Sequence, residues 1–107
     1  HTQGRPDVTR EEIAAHCRHY KYTATYEAFW QAHHRCEACS EPSSAPHHAR
    51  SRGAGGSDDP RNLLALCRWH HSEIHTIGNI EFALRYPQVA SKIEAALALP
   101  AIVRSRV

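Results

Sequence analysis

Two short pairs of metal-ligand residue types, Cys36-x-x-Cys39 and Cys67-x-x-His70, constrain this chain more than any other feature of its sequence. Twenty-seven residues lie between them. A C-x-x-C turn presents two thiolates to one ion, and Zn²⁺ takes four nitrogen or sulfur ligands in a tetrahedron. Cys67 and His70, three residues apart near the start of a helix, reach one point. The expectation is therefore a structural Zn²⁺ held by Cys36, Cys39, Cys67 and His70, closing the segment between them as a knuckle. In a chain of 107 residues such a staple matters, because a domain of that size buries only about two-thirds of its unfolded surface. The plainer readings are buried apolar thiols or a disulfide. Two matched pairs argue against the first. A cytoplasmic setting, expected because polar residues 1–10 carry no signal-peptide pattern, argues against the second. Cys17 has no partner and is assigned to the core.

The length indicates a single domain, 1–107, and the patterning divides it in three. Residues 1–35 read as a helical N-terminal extension. Thr9 with Glu12 forms a capping box, and Tyr26, Phe29, Trp30 and His33 recur at helical spacing, with Phe29 and Trp30 expected in the core. Residues 36–77 hold the knuckle, the pair His47-His48, a glycine-rich turn at 53–56, a short apolar run at 63–66 and a helix from about Cys67. The glycine turn between short segments suggests an irregular β-hairpin. Gly78 is a plausible C-cap for that helix. Residues 78–107 read as helical C-terminal elements broken near Pro87 and stopped at Pro100, with a frayed or partner-bound tail at 101–107.

No apolar run approaches the roughly 18–20 residues of a membrane span, so no membrane partner is expected. A net charge of +2 is too small to argue for nucleic-acid binding by itself. The kind of cation says more: eleven of the thirteen are Arg, and several fall in or beside the Cys/His segment. A guanidinium makes bidentate contacts with phosphate. Arg50, Arg52 and Arg68 are candidate contacts to a DNA backbone, with plain surface solvation as the alternative for each.

Once the knuckle has its ligands, His47, His48, His71 and His75 remain. His71 and His75 are four apart on one helix face, a spacing that lets two imidazoles bind one metal. Cys67/His70 and His71/His75 then occupy adjacent faces, so one short helix serves two metals. Adjacent residues in a strand point to opposite sides. If His47 and His48 lie on a hairpin strand, one joins the His71/His75 metal and the other is free to act as a general base near neutral pH. A divalent ion beside a free imidazole suits phosphodiester hydrolysis.

The ordered run from Cys36-Glu-Ala-Cys39 through Pro46-His47-His48, Gly53-Ala-Gly-Gly56, Asp59-Pro60-Arg61-Asn62-Leu63 and Leu66-Cys67-Arg-Trp-His70-His71 to His75 resembles the HNH endonuclease family. The flanking helices, especially Phe82 to Pro87 after Gly78, resemble those of its small phage- and prophage-type members. The resemblance implies an α+β fold with a ββα-metal (HNH, His-Me finger) core and a zinc knuckle, flanked by N- and C-terminal helices. It implies that His48 is the general base and that Asn62 orients it or the facing loop. His71 is a metal ligand. His47 stands where many members carry an Asp ligand, and His75 matches the extra metal histidine of the family's bacterial toxin nucleases. Such sites usually take Mg²⁺ or Mn²⁺. An all-imidazole set should also accept softer ions such as Ni²⁺ or Zn²⁺. The implied activity is cleavage of DNA to 5′-phosphate and 3′-hydroxyl ends. One site cuts one strand at a time, so a monomer or weak homodimer should nick duplexes.

Competing classes fit less well. A C₂H₂ finger needs about twelve residues between its Cys and His pairs, whereas thirty-one separate Cys39 from His71. A metalloprotease needs Glu directly after its first His, and Glu73 lies two after His71. A deaminase carries H-x-E before C-x-x-C, and here the order is reversed. A non-catalytic zinc-knuckle module that binds nucleic acid remains the alternative, and it leaves His48 and Asn62 without a role.

Overall fold

The computed structural model describes residues 8–100. The expected tail at 101–107 and the first residues of the N-terminal extension lie outside them. Among the described residues the fold is α+β, with four helices and one two-stranded sheet. Helix α1 (Arg10–His19) starts at the Thr9–Glu12 capping box, in which each residue's side chain meets the other's backbone N–H. Lys21, at φ 58°, turns the chain into α2 (Ala24–Ala32), which Thr23 caps through its hydroxyl. The N-terminal extension is thus two helices with a tight left-handed corner.

Strand β1 (His47–His48) pairs antiparallel with β2 (Leu63–Leu64), His47 opposite Leu64 and His48 opposite Leu63. Between them, the glycine-rich segment forms a 3₁₀ turn at Arg52–Ala54, and Pro60–Asn62 forms another just before β2. This is the irregular hairpin expected from the sequence. Helix α3 (Arg68–Arg85) follows, and α4 (Ala90–Leu97) comes after a 3₁₀ turn at Pro87–Val89. Gly78 breaks α3 as expected, at φ 87° and ψ 168°. It does not end it: helical geometry resumes and runs to Arg85. Only glycine populates that backbone region at low cost.

Residues 63–66 form a partition. Leu64 and Leu66 enter a core with Cys36, Ile74, Phe82, Val89 and Ile93, while Leu63 and Ala65 enter a second core with Ile13, Cys17, Tyr26, Phe29 and Trp30. Alternate side chains of an extended segment point to opposite faces, and here both faces are buried, so the run carries no polar alternation. Phe29, Trp30 and Cys17 are buried as expected. The register carries the same sidedness to β1: His47 faces the Leu64 side, towards α3, and His48 faces the Leu63 side, towards α2.

The loop over this sheet has one position that admits no side chain. A Cβ at Gly56 would lie 1.8 Å from the Arg50 carbonyl oxygen, and Gly56 N–H donates to the Ser51 carbonyl at 2.8 Å. Gly56→Ala is therefore expected to open the 50–56 turn and destabilise the domain by about 1–3 kcal/mol, the cost of local backbone strain or rearrangement. An unchanged urea midpoint would contradict this.

Candidate functional site

The knuckle is built from two ends of the first core. Cys36 N–H donates to the Glu41 carbonyl at 2.7 Å and Ser40 N–H to that of Cys36 at 2.8 Å, which folds 36–41 into a tight turn. Glu37 fastens the turn to residue 65: its N–H donates to the Ala65 carbonyl, and its carboxylate accepts from Ala65 N–H and from Lys92. Cys67 is the N-cap of α3, its sulfur accepting from His70 N–H at 3.4 Å. Cys36, Cys39, Cys67 and His70 thereby bring their ligand atoms within 4.8 Å of one another. Cys39 and Cys67 sulfurs lie 3.8 Å apart, and His70 Nδ1 lies 3.7 Å from Cys36 Sγ and 3.2 Å from Cys67 Sγ. At about 2.3 Å from a tetrahedral zinc, two thiolates are about 3.8 Å apart. A disulfide would need about 2.05 Å, and all the described cysteines are free thiols. Burial raises the Cys36 thiol and lifts Cys39 to about 12. A bound cation is the natural counterweight that turns such thiols into thiolates. The four residues are thus positioned to hold a metal, and the donor set suits structural zinc.

The second cluster sits one face further round α3. His47, His71 and His75 also place their ligand nitrogens within 4.8 Å of one another. His71 Nε2 and His75 Nε2 face each other at 3.2 Å, close to the roughly 3.3 Å expected for two imidazoles on one tetrahedral ion. His47 closes the group from β1, its ring centroid 5.2 Å from that of His71 and 5.0 Å from that of His75. His47 Nε2 is buried and has no hydrogen-bond partner among the described residues. A buried nitrogen without a partner is costly, and a cation at the three histidines would satisfy it. Burial, then His71, His75 and His48, push the His47 pKa down to about 3. His71 is lowered for the same reasons, burial first.

This sets a pH dependence. An unfolded His47 takes up a proton near the ordinary imidazole value of about 6.5, whereas the folded ring resists until about pH 3. Across that window the unfolded chain binds more protons, so stability falls as pH drops through it. With zinc in the knuckle and no cation at the three histidines, the thermal midpoint of the wild type should fall more steeply from pH 7 to 5 than that of His47→Gln. Equal slopes would mean that His47 is not buried neutral.

His48 occupies a different volume, as strand alternation requires. Its Nε2 lies 2.7 Å from Asp58 Oδ1, and Asp58 Oδ2 accepts from the Thr23 hydroxyl at 2.6 Å. Burial opposes ionisation of Asp58, but hydrogen bonds from Thr23 and His48 outweigh it and hold its pKa below the usual carboxylate value. The Asp58 carboxylate accepts from Nε2–H, so the neutral ring carries its lone pair on Nδ1. The His48 ring is stacked on Tyr26, whose hydroxyl donates to the Pro46 carbonyl at 2.8 Å. An open groove of about 410 Å³ borders both His47 and His48.

Asn62 is 2% exposed and ties the loop beyond β1 together. Its Oδ1 accepts from Arg50 N–H, and its Nδ2 donates to the carbonyls of Arg50 and Ser57. It reaches the loop and not the His48 ring. The candidate cations diverge. Arg50 donates to the Leu97 carbonyl at the end of α4, Arg52 lies over the Tyr22 ring beside His48, and Arg68 is exposed in the first turn of α3. Glu73 faces away from the histidines, its carboxylate engaged by Arg85 and Tyr86.

Three contributors were not foreseen: Asp58, Thr23 and Asn79. Asp58 stands in an Asp-Asp-Pro segment that reads as turn chemistry, and Thr23 in a helix cap, so neither carries a local sign of its contact with His48. Asn79 follows the Gly78 break, donates to the Ala49 carbonyl at 2.7 Å and borders the same groove as His47. The helix break aims it at β1.

No family model matches the chain, and no solved structure matches it. Over 50 residues, 44% of its length, the chain is 38% identical to the uncharacterized protein YdfU of Escherichia coli (strain K12). The match spans 14% of that protein's own length. Among the described residues no helix is long and apolar enough to cross a membrane.

Proposed function

We propose that this domain is a metal-dependent endonuclease of the HNH type, hydrolysing DNA phosphodiester bonds one strand at a time. The observation that carries the reading is the division of labour across β1. His47 turns to a three-histidine cluster with an orphaned nitrogen, while His48, one residue on, is held apart from it by Asp58 and Tyr26. A base kept off a metal but beside it, at the edge of a groove, is the arrangement that hydrolysis of a phosphodiester requires. The order β1, β2, α3 around the two clusters supports a ββα-metal core.

His47, His71 and His75 would hold a divalent ion such as Mn²⁺ or Mg²⁺, with Ni²⁺ and Zn²⁺ also suited to three imidazoles. When bound, it would supply positive charge for the scissile phosphate and the leaving oxygen. His48 Nδ1 takes a proton from water as the oxygen attacks phosphorus. The bond from phosphorus to the 3′ oxygen breaks, leaving a 5′-phosphate, and the 3′ oxygen takes a proton from solvent. Asp58 stabilises the imidazolium so formed and keeps the ring in register. Asn62 fixes the loop that follows the base. Arg52, beside His48, and Arg68, exposed at the start of α3, would contact the DNA backbone. Arg50, bound to the end of α4, serves the loop as well.

The test is incubation of supercoiled plasmid with zinc-loaded protein plus Mg²⁺, Mn²⁺ or Ni²⁺, or with no added ion. Nicked circles with an added ion, and none without it, are expected. Plasmid bound but uncut under every ion would instead favour a non-catalytic nucleic-acid-binding module.

A further inference from the structure

A run of aromatic rings leads from solvent to His48. Tyr26 stacks on His48 with centroids 5.4 Å apart and planes 15° apart. Tyr22 stacks on Tyr26 at 3.9 Å and 15°, and also lies 6.4 Å from the His48 ring. Tyr20 follows at 6.2 Å from Tyr22, with 57% of its surface exposed. The rings of His16 and His19 flank Tyr20 at 4.7 and 4.6 Å. Two ring-to-ring steps thus separate an exposed tyrosine from the base.

Tyr26 belongs to the second core and needs no further account. Tyr20 does. It is the C-cap residue of α1, where neither capping nor core packing asks for an exposed aromatic. The left-handed Lys21 between Tyr20 and Tyr22 brings the two rings onto one surface instead of opposite sides of an extended chain. The rim is cationic. Arg52 lies 5.9 Å over the Tyr22 ring, and Arg18, His19 and Lys21 are exposed on the same corner. Aromatic faces interleaved with Arg and Lys fit one class of ligand: a polyanion whose flat groups are free to stack. Paired bases inside a duplex are already stacked and present only their edges.

We propose that Tyr20, backed by Tyr22, forms a stacking platform for an unpaired base of a DNA strand, with Arg52 and Lys21 neutralising its phosphates. The platform would deliver a single-stranded or frayed segment to the groove at His48. Delivery to the base rests on the endonuclease reading, but strand binding does not. The domain then prefers unpaired DNA over perfect duplex, and it prefers strands without secondary structure.

Binding of a fluorescein-labelled 20-mer of thymidine, and of a mixed-sequence duplex of equal length, tests the proposal. It is read by fluorescence anisotropy on zinc-loaded protein without added divalent ion. The single strand should bind more tightly. Tyr20→Ala should weaken single-strand binding roughly 5- to 150-fold, the range for losing one stacked base, and change duplex binding less than about 2-fold. Tyr20→Phe should restore the wild-type affinity. Arg52→Ala should weaken binding and lower the slope of log K against log salt by about one. Duplex bound as tightly as single strand, or Tyr20→Ala binding the single strand like wild type with an unchanged thermal midpoint, overturns the platform. Tyr20-dependent binding in a protein that cuts no DNA would sink the endonuclease reading and leave the platform standing. Cutting that ignores strandedness and Tyr20 would do the reverse.

Discussion

His48→Ala is expected to lower strand cleavage by about 10²–10⁴-fold, the contribution of a positioned general base. Zinc content and DNA affinity should remain those of the wild type. The separation follows from β1: His48 is turned away from the three-histidine cluster that holds His47, so removing its ring takes away no metal ligand. Its ring does pack on Tyr26, and the cavity left beside that tyrosine should cost stability modestly. Asp58→Asn should cost less than His48→Ala while moving the acid limb of the pH–rate profile, because the neutral amide does not stabilise the imidazolium as a carboxylate does. Rates of plasmid nicking across pH measure both. Wild-type rates in His48→Ala would place the base elsewhere.

Cys36→Ser is expected to do the opposite, destroying the fold and with it every activity. Structural zinc contributes roughly 10–16 kcal/mol in small zinc domains, and a whole domain is stable by only about 5–15 kcal/mol. Here the knuckle ties the 36–41 turn to the start of α3, and Cys36 and Cys67 themselves belong to the first core. Without a bound ion, the variant would keep the buried Cys67 thiol, the half-buried Cys39 thiol and the buried His70 imidazole with no common centre. Circular dichroism should show no cooperative thermal transition for the variant, and a strong chelator should produce the same loss in the wild type. A folded, zinc-free Cys36→Ser protein would remove the knuckle from the account of stability.

Much of this was legible in local patterns. The ligand pairs of the knuckle, the four-residue spacing of His71 and His75, the capping box at Thr9 and the break at Gly78 are short-range features. Each depends on geometry within a turn or two of chain, which residue type and spacing carry directly. That His47 and His48 must part company was also readable, from the alternation of a strand.

Which of the two goes where is another matter. Residues 63–66 separate two cores, and the register opposite them sends His47 towards α3 and His48 towards α2. The partner of His48 is Asp58, held by Thr23 from 35 residues away. Arg50 reaches the Leu97 carbonyl across 47 residues, so a side chain that reads as a phosphate contact also braces a helix end. No local pattern encodes such choices, because they depend on which distant surfaces meet when two small cores close. The sequence by itself determined which atoms are available to hold metals and at what spacing along the chain. The tertiary structure decided which histidine is left outside the cluster, what orients it, and which rings lead to it. Side-chain partners across such separations are selected by packing.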